Sequence, residues 1–452
     1  MRPALATLAL AWLAACGGSG RGTVPGTGGG VQAPTTTSSS RQSTVAAVQA
    51  AARPIAGTEQ DYADLLAAAQ DARRIMLGES THGTLQHYRE RARISERLIA
   101  DQNAQAILIE GEWSAAWRVN LYVRGMSGDT SADAALAGFT DFPRWMWPNT
   151  TFRDFVERVR AINLARPAEQ RVGIYGMDVY DMFDAADFVL AELQRIDPAA
   201  AGRARAQYRC FARYSRSTTA YGEATRNPAR SCKEEAEAVV AEVRRIPRPA
   251  GAEPAERHFG LQRSAASVAA AEEYFRAAYT GSGSWNLRDR RMADTVDAAA
   301  AHGEALAGRP GKVVAWAHNS HMGDARATSA AARGELNLGQ VMRERHGDAA
   351  LLVGFFAATG TVMAAEEWEA AGRVYTLRPP IAGSHEALFK QTGLAAFSLV
   401  LRGNAALADA VGAAMPQRAV GVIYRPDTEL QSHYFDARLP RQFDAAVFFA
   451  AS

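Results

Sequence analysis

Cysteine is scarce in this sequence, with only Cys16, Cys210 and Cys232 among 452 residues. None of the three stands where a nucleophile is needed, so a cysteine hydrolase is excluded. The Gly-x-Ser-x-Gly motif is also missing, which argues against a serine hydrolase of the nucleophile-elbow type. The formal net charge is only +2 and arginine is spread along the chain. The sequence therefore lacks the clustered basic residues that are typical of nucleic-acid-binding proteins.

The N-terminal hydrophobic run is too short to span a bilayer. Residues 1–16, MRPALATLALAWLAAC, combine one arginine, a short apolar run and small residues before Cys16, which predicts an export signal. The last four of them, LAAC, resemble a bacterial lipobox, which implies lipidation of Cys16; an ordinary secretion signal is the alternative. Residues 17–45 are rich in Gly, Ser and Thr and predict a flexible linker. We therefore expect a folded domain at 46–452, held in the cell envelope by a lipid anchor and facing the periplasm or lying at the outer membrane.

An exported chain meets an oxidising compartment, in which two cysteines can pair. Cys210 and Cys232 are the two that remain after the signal. The sequence predicts a disulfide between them, with two free thiols as the alternative.

Apolar, β-rich runs alternate with helical patterns along the folded part. The predicted strands are 73–79, 105–112, 171–178, 312–319, 350–358, 419–426 and 443–450. This alternation predicts an α/β fold with a mixed, largely parallel sheet flanked by helices. The last three strands lack clean helices between them, which predicts an antiparallel part. Residues 180–305 carry helical spacing only and predict an insertion, either a lid or substrate wall or a passive bundle.

Polar residues follow four of the predicted strands at the point where each apolar run stops. They are Glu79 and His82, then Glu110, then Asp178, and finally His318, Asn319 and His321. Ligands of open α/β sheets bind outside the carboxyl ends of the strands, so we expect one shared site. Gly78 and Gly83 are expected to let the backbone turn beside Glu79 and His82.

Carboxylates and histidines in such a set favour two kinds of chemistry. A histidine base can activate a water molecule. Alternatively, Glu79-x-x-His82 and His318-x-x-His321 have spacings that suit a metal site. The residue types alone leave both open, and Ser80 as a nucleophile has no support.

Seven segments resemble, in order, those of the erythromycin esterase family, over about residues 55–450. They are LGESTHG, ILIEGEW, FPRWMWPNTTFRDFVERVRAIN, VGIYGMDVY, NLRDRRMADT, VVAWAHNSHMG and HYFDARLPRQFDAAVFF. The resemblance implies hydrolysis of a carboxylic ester or macrolide-like lactone, hence antibiotic resistance, without a cofactor or bound metal. It assigns the base to His82, glutamates to Glu79 and Glu110, an assisting arginine to Arg91, and paired histidines to His318 and His321.

From these assignments we expect Glu79 or Glu110 to orient His82, and Arg91 with His318 or His321 to stabilise an oxyanion. Substrate contacts are predicted for Asp178, Asn319, Trp113 and His433. His87, His258, His302, His346 and His385 are expected at the surface. The helical segment departs from the family pattern and is expected to shape substrate choice. Two alternatives remain: a metal-dependent hydrolase using the same residues, and a non-catalytic envelope binding protein.

Overall fold

The computed structural model describes residues 38–281 and 283–452. The predicted signal, Cys16 and residues 17–37 of the predicted linker lie outside them. The first described helix, α1 (Ser38–Ala51), begins within the segment that was predicted as linker, and its Val48 is fully buried in the core. Among the described residues, no helix is long and apolar enough to cross a membrane.

Strands of four to ten residues build the sheets because short apolar runs end at polar or glycine residues. They are β1 (Arg53–Pro54), β2 (Arg74–Leu77), β3 (Ala106–Ile109), β4 (Gly173–Gly176), β5 (Val313–Trp316), β6 (Ala350–Thr359), β7 (Thr361–Ala364), β8 (Arg373–Thr376), β9 (Ala396–Val400), β10 (Ala414–Arg418), β11 (Tyr434–Arg438) and β12 (Ala445–Ala451), the two-residue β1 being the exception in length.

The main sheet has eight strands in the order β1-β9-β12-β6-β2-β5-β3-β4. Six neighbours from β12 to β4 are parallel, whereas β9 is antiparallel to both β12 and β1. The predicted mixed, largely parallel sheet is therefore confirmed. The pairs β7–β8 and β10–β11 form two small antiparallel sheets.

The predicted strand at 419–426 is wrong. This segment makes only single bridges, from Val420 to Thr81 and from Ile423 to Ala365. Its backbone is used to hold the loop after β2: Val420 N–H donates to Ser80 O at 2.8 Å, and His82 N–H donates to Val420 O at 3.2 Å. This β-rich segment therefore holds the polar loop after β2 by backbone hydrogen bonds and does not add a strand to the sheet.

Helices cover both faces of the sheet. They are α2 (Ala63–Ala68), α3 (Leu85–Asp101), α4 (Trp113–Val123), α5 (Ala132–Leu136), α6 (Thr150–Leu164), α7 (Phe183–Ile196), α8 (Pro198–Ala212), α9 (Thr218–Ala224), α10 (Lys233–Arg244), α11 (Ala252–Thr280), α12 (Ser284–Ala307), α13 (Asn319–Met322), α14 (Leu338–His346), α15 (His385–Lys390), α16 (Ala405–Ala410), α17 (Glu429–Ser432) and α18 (Leu439–Gln442). Helices α3 and α6 pack on one face, and α12, α14 and α15 pack on the other. The alternating side chains of each strand divide between these two cores.

The segment from α7 to α12 is the helical insertion. Within its described residues it contains no strand, and α7 to α11 share a core of their own, centred on residues such as Leu193, Tyr221 and Leu261. A disulfide joins Cys210, in the last turn of α8, to Cys232 at the start of α10. Its last helix, α12, leaves this bundle and packs against β3 and β5 of the main sheet. The insertion therefore reaches the sheet through α12.

Candidate functional site

The polar residues predicted from the strand ends do converge. Strands β2, β5, β3 and β4 are neighbours and parallel, so their carboxyl ends meet at one edge of the sheet. Every one of the predicted polar residues at this edge is buried: Glu79, His82, Glu110, Asp178, His318, Asn319 and His321. Buried charged groups require partners, and their contacts decide what each of them can do.

Glu79 and His82 form a hydrogen-bonded pair. His82 Nδ1 lies 2.8 Å from Glu79 Oε1, and Arg91 Nη2 donates to Glu79 Oε2 at 2.7 Å. A carboxylate that accepts from Nδ1–H fixes the ring orientation and leaves Nε2 free to accept a proton. By these contacts Glu79, rather than Glu110, is the partner of His82.

Gly78 and Gly83 were predicted to let the backbone turn, but the structure gives a different reason for glycine at these two positions. Neither Gly78 nor Gly83 has a positive φ. A Cβ on Gly78 would lie 2.0 Å from Asn319 Oδ1, and a Cβ on Gly83 would lie 2.0 Å from the Met363 carbonyl oxygen. Both positions exclude a side chain because neighbouring segments pack against the loop there.

The structure places Arg91 outside the cavity lining, so no contact there supports its predicted oxyanion role. Its side chain is fully buried, its Nε donates to the His87 carbonyl, and its Nη2 is bonded to Glu79. Its guanidinium carbon also lies 5.0 Å from the ring centroids of Tyr88 and Trp316. Arg91 therefore lies behind Glu79 and away from the cavity, where it anchors the carboxylate.

Arg288, which the sequence analysis did not single out, is the arginine at the cavity. Its Nη2 donates to Glu110 Oε1 at 2.8 Å and to Asp178 Oδ2 at 2.6 Å, and its Nε donates to Asp178 Oδ1 at 2.9 Å. The carboxylates that end β3 and β4 are thus joined by one buried guanidinium. Burial opposes ionisation of Glu110, but its neighbours, with His321 and Arg288 among them, hold its pKa well below the usual range.

His321 is held as a cation between carboxylates. Its Nδ1 lies 2.8 Å from Asp289 Oδ1, and its Nε2 lies 3.3 Å from Glu110 Oε1 and 2.9 Å from Arg288 Nη1. Although burial lowers it, Asp289 and Glu110 raise the pKa of His321 to about 9. The ring of Trp285 stacks on it at 4.5 Å, which suits a cation. Nδ1–H donates to Asp289, whereas Nε2 accepts from Arg288 Nη1 when it is unprotonated and donates to Glu110 when it is protonated.

His318 has the opposite protonation state. Burial and the neighbouring His82 hold its pKa well below the ordinary value. Ser320 N–H donates to His318 Nδ1 at 3.2 Å, so the single ring proton sits on Nε2. That Nε2 is buried and makes no well-formed hydrogen bond among the described residues, although the Ser80 carbonyl is close enough to oppose the lowering of the His318 pKa. The ring centroids of His318 and His82 are 5.1 Å apart, so a free donor stands beside the candidate base.

A narrow cavity of about 70 Å³ opens at this edge. His82, Glu110, Asp178 and Arg288 line its polar side, and Phe139, Phe142, Trp147, Tyr180 and Trp368 line its apolar side. A larger groove of about 700 Å³ adjoins it and shares Asp141 and Phe142 with it. The candidate base therefore faces a polar pocket next to a roomy outer groove.

Three predicted substrate contacts are corrected. Trp113 is 1% exposed, stacks on Trp117 and Tyr175, and is core. The Asn319 amide bonds the backbone N–H and C=O of Phe355 and so fixes β6 to the loop after β5. His433 accepts from Arg425 N–H and packs on Tyr424, outside the cavity lining. Asp178 is the only one of the four predicted contacts that lines the cavity.

Most histidines expected at the surface are buried. His87 is fully buried between Phe355 and Phe449, and burial together with Arg91 lowers its pKa to about 3. His258, His302 and His385 are also buried, each with a hydrogen-bonding partner: Ile246 O, Glu256 and Ala437 O. Of the five, His346 alone is partly exposed. Each of the four buried histidines lies on the buried side of its helix.

Arg288 and Asp289 lie in the motif NLRDRRMADT, but neither was predicted from the sequence as a site residue. This motif interrupts an otherwise Ala-rich insertion with adjacent Arg and Asp residues, and both are buried on α12. The adjacent opposite charges of this motif, within an Ala-rich helical segment, are the sequence signal that could have identified the two residues. Among residues 38–281 and 283–452, no three His, Cys, Asp or Glu side chains are grouped to hold a metal ion.

Comparison with known proteins agrees with this fold. The family model for erythromycin esterase matches residues 99–452. A succinoglycan biosynthesis protein is 17% identical, with a TM-score of 0.75 covering 92% of this chain and 98% of that one. A Bacillus cereus protein is 16% identical, with a TM-score of 0.73 over 91% and 97%. A histidine-to-asparagine variant of the erythromycin esterase EreC, in its open conformation, is 16% identical, with a TM-score of 0.57 over 86% and 92%. The chain therefore belongs to the erythromycin esterase family, whose membership supports its assignment as a hydrolase.

Proposed function

We propose that this chain hydrolyses a carboxylic ester or lactone with a water molecule activated by His82, without a metal ion. The observation that carries the proposal is the Glu79–His82 pair at the cavity, with 2.8 Å between Oε1 and Nδ1 and His82 in the cavity lining. A base, its orienting carboxylate and a free donor are the parts that ester hydrolysis by water requires.

In the proposed reaction, water bound in the cavity gives its proton to His82 Nε2 and attacks the carbonyl carbon. The imidazolium that forms is stabilised by Glu79, whose negative charge is retained by the hydrogen bond from Arg91. His82 then gives the proton to the leaving alkoxide, so that an acid and an alcohol are released. Such a base contributes about 10²–10⁴-fold to the rate.

The tetrahedral oxyanion needs donors that are already in position. His318 Nε2–H is one candidate, because its neutral tautomer is fixed by Ser320 and the neighbouring Ser80 carbonyl makes no well-formed hydrogen bond with it. Arg288 lines the cavity, which His318 does not, and supplies positive charge there, although Glu110 and Asp178 occupy several of its N–H groups. In this account His321 keeps Glu110 ionised and does not touch the substrate.

Two adjoining spaces support the proposed substrate class. The small cavity admits the scissile ester, and the apolar part of the molecule lies in the groove of about 700 Å³ that shares Phe142. A macrolide-like lactone fits this division into a reacting ester and a large apolar ring, and it is also the class that the family name indicates.

The test is hydrolysis by the purified chain of a panel of macrolides, simple lactones and aryl esters, with metal content measured on the same samples. We expect release of acid from at least one ester or lactone class, with undiminished rates after chelation. Stoichiometric metal that is lost together with activity would contradict the metal-free mechanism. Binding without turnover across the panel would favour the envelope binding protein instead.

A further inference from the structure

The helical insertion contains a second, larger cavity that shares no lining residue with the catalytic one. It has a volume of about 620 Å³ and lies between the end of α10, the loop after it, the first half of α11 and the end of α12. This is within the range of small-molecule sites in proteins, about 300–1,000 Å³. We call it the insertion groove.

One side of the insertion groove is apolar. Val240, Val243, Ile246, Pro247, Phe259 and Ala298 line it. Phe259 is firmly held, because it packs face to face on His302 at 4.1 Å and edge-on against Trp113. The wall is therefore preformed, as a binding site for hydrocarbon requires.

The other side is cationic, and its arginines form no direct ion pairs among the described residues. Arg244, Arg248 and Arg263 line the groove, and within the described residues none of them forms a salt bridge with a carboxylate. The adjacent Arg245, by contrast, does pair with Glu242. Three guanidinium groups without acidic partners make a site for an anion, since guanidinium matches carboxylate and phosphate oxygens geometrically.

Arg263 is the most constrained of the three. Its Nη2 donates to Thr295 Oγ1 at 2.7 Å, whereas its buried Nε has no partner. Burial lowers its pKa to about 10, with Arg291 and Arg244 acting in the same direction against Asp294, so it stays charged at neutral pH. A bound anion would supply the missing acceptor and offset the repulsion between these cations.

We propose that the insertion groove binds a single-chain anionic amphiphile, whose phosphate or carboxylate head lies against Arg244, Arg248 and Arg263 and whose hydrocarbon tail lies along Val243, Ile246 and Phe259. The combination of an apolar wall with uncompensated arginines distinguishes this ligand from both a free anion and a neutral lipid. The site does not depend on the proposed hydrolytic function.

The test is calorimetric titration of the intact chain with dodecyl phosphate below its micelle concentration. We expect one binding site, and at least tenfold weaker binding of inorganic phosphate, dodecyl maltoside and dodecyltrimethylammonium. The double variant Arg244→Gln/Arg248→Gln changes exposed residues and should fold normally, yet it should weaken binding by about tenfold or more. Arg263→Gln should weaken it as well.

Arg209→Gln is the matched control, because Arg209 is an exposed arginine in the last turn of α8 on the same insertion. It should bind as the unchanged chain does. Equal affinity in the double variant and the unchanged chain would overturn the proposal, as would equal affinity for dodecyl maltoside. Binding only to vesicles that contain phosphatidylglycerol, with none to the monomeric amphiphile, would assign the arginines to a membrane surface and would also overturn it.

Discussion

Single residues at the carboxyl edge of the sheet are distinguished by their partners rather than by their type. Glu79 and Glu110 are both buried glutamates that follow a strand, but Glu79 accepts from His82 and Arg91 whereas Glu110 accepts from Arg288 and the His318 backbone. The first orients the candidate base, and the second joins β3 to β5 and α12. The two carboxylates therefore have separate tasks at one edge.

Replacement of Glu79 by glutamine tests this division. The amide can donate to His82 Nδ1 and so stabilise the wrong tautomer, which at a comparable position of the serine protease triad costs up to about 10⁴-fold. We expect Glu79→Gln to lower kcat by about 10²-fold or more at unchanged KM. Glu234→Gln, at an exposed position on α10, is the control. A Glu79→Gln rate within a factor of two of the control would contradict the orienting role.

His321 predicts a specific pH dependence of stability. Its pKa in the folded state, about 9, is above the ordinary 6.5. The proton is therefore bound more tightly in the folded chain, and the resulting stabilisation is complete below pH 6.5 and is lost as the pH rises through about 9. The full loss is about 3 kcal/mol in the free energy of unfolding.

Urea unfolding of the unchanged chain and of Asp289→Asn, at several pH values between 6 and 10, measures this contribution. Asp289 is the larger of the two carboxylate influences on His321, so its removal should flatten the decline between pH 6.5 and 9. Comparison of the two chains cancels other groups that titrate there, such as Lys312, whose pKa burial lowers to about 8. Parallel curves for both chains would refute the assignment.

At the scale of elements, the helical insertion is part of the site because α12 brings Arg288 against the ends of β3 and β4. Removal of the Arg288 guanidinium would leave the buried carboxylates of Glu110 and Asp178 without the ion pair that joins them. Arg288→Met should therefore lower the free energy of unfolding by about 3–5 kcal/mol, as the loss of one partner of a buried ion pair does.

Denaturant unfolding compares this variant with Arg290→Met, an exposed change two residues along the same helix. The control should stay within about 0.5 kcal/mol of the unchanged chain. A similar small effect of Arg288→Met would mean that the contact between α12 and the two strand ends is not what holds the site together.

The sequence predicted the sheet and its polar edge well because both depend on local patterns. Short apolar runs that end at Glu79, Glu110, Asp178 and His318 are visible in one dimension, and parallel pairing brings such ends together. The direction of each side chain is not a local property. Arg91 was assigned to the site through the family resemblance and Trp113 was predicted to contact substrate. The contacts of Arg91 with the Tyr88 ring and of Trp113 with Tyr175 place both side chains in the interior.

The strand prediction for residues 419–426 was wrong for a similar reason. Their β-rich composition is real, but backbone hydrogen bonds to Ser80 and Ala365 engage them at a loop rather than in the sheet. Arg288 was missed because its partners lie more than a hundred residues away along the chain. Contacts between a helical insertion and a sheet edge are long-range, and periodicity does not encode them.

For the whole molecule, we propose that the chain is exported and anchored by lipid at Cys16, on the basis of its N-terminal sequence. The described domain begins with α1 at Ser38, so a short segment would separate the domain from the anchor. Replacement of Cys16 by alanine should then move the protein from the membrane fraction to the soluble envelope fraction without loss of specific activity. Fractionation of cells that express both forms is the measurement, and retention of Cys16→Ala in the membrane would refute the lipid anchor.

The most direct test of the account is the hydrolytic rate of His82→Asn on the best substrate of the ester and lactone panel. Asparagine keeps a polar group that can bond Glu79 but cannot take a proton from water. We expect kcat/KM to fall by about 10²–10⁴-fold, with an unchanged unfolding midpoint, while His346→Asn, a partly exposed histidine outside the site, retains the full rate. Turnover of His82→Asn close to that of the unchanged chain would contradict the assignment of the base, and with it the proposed mechanism.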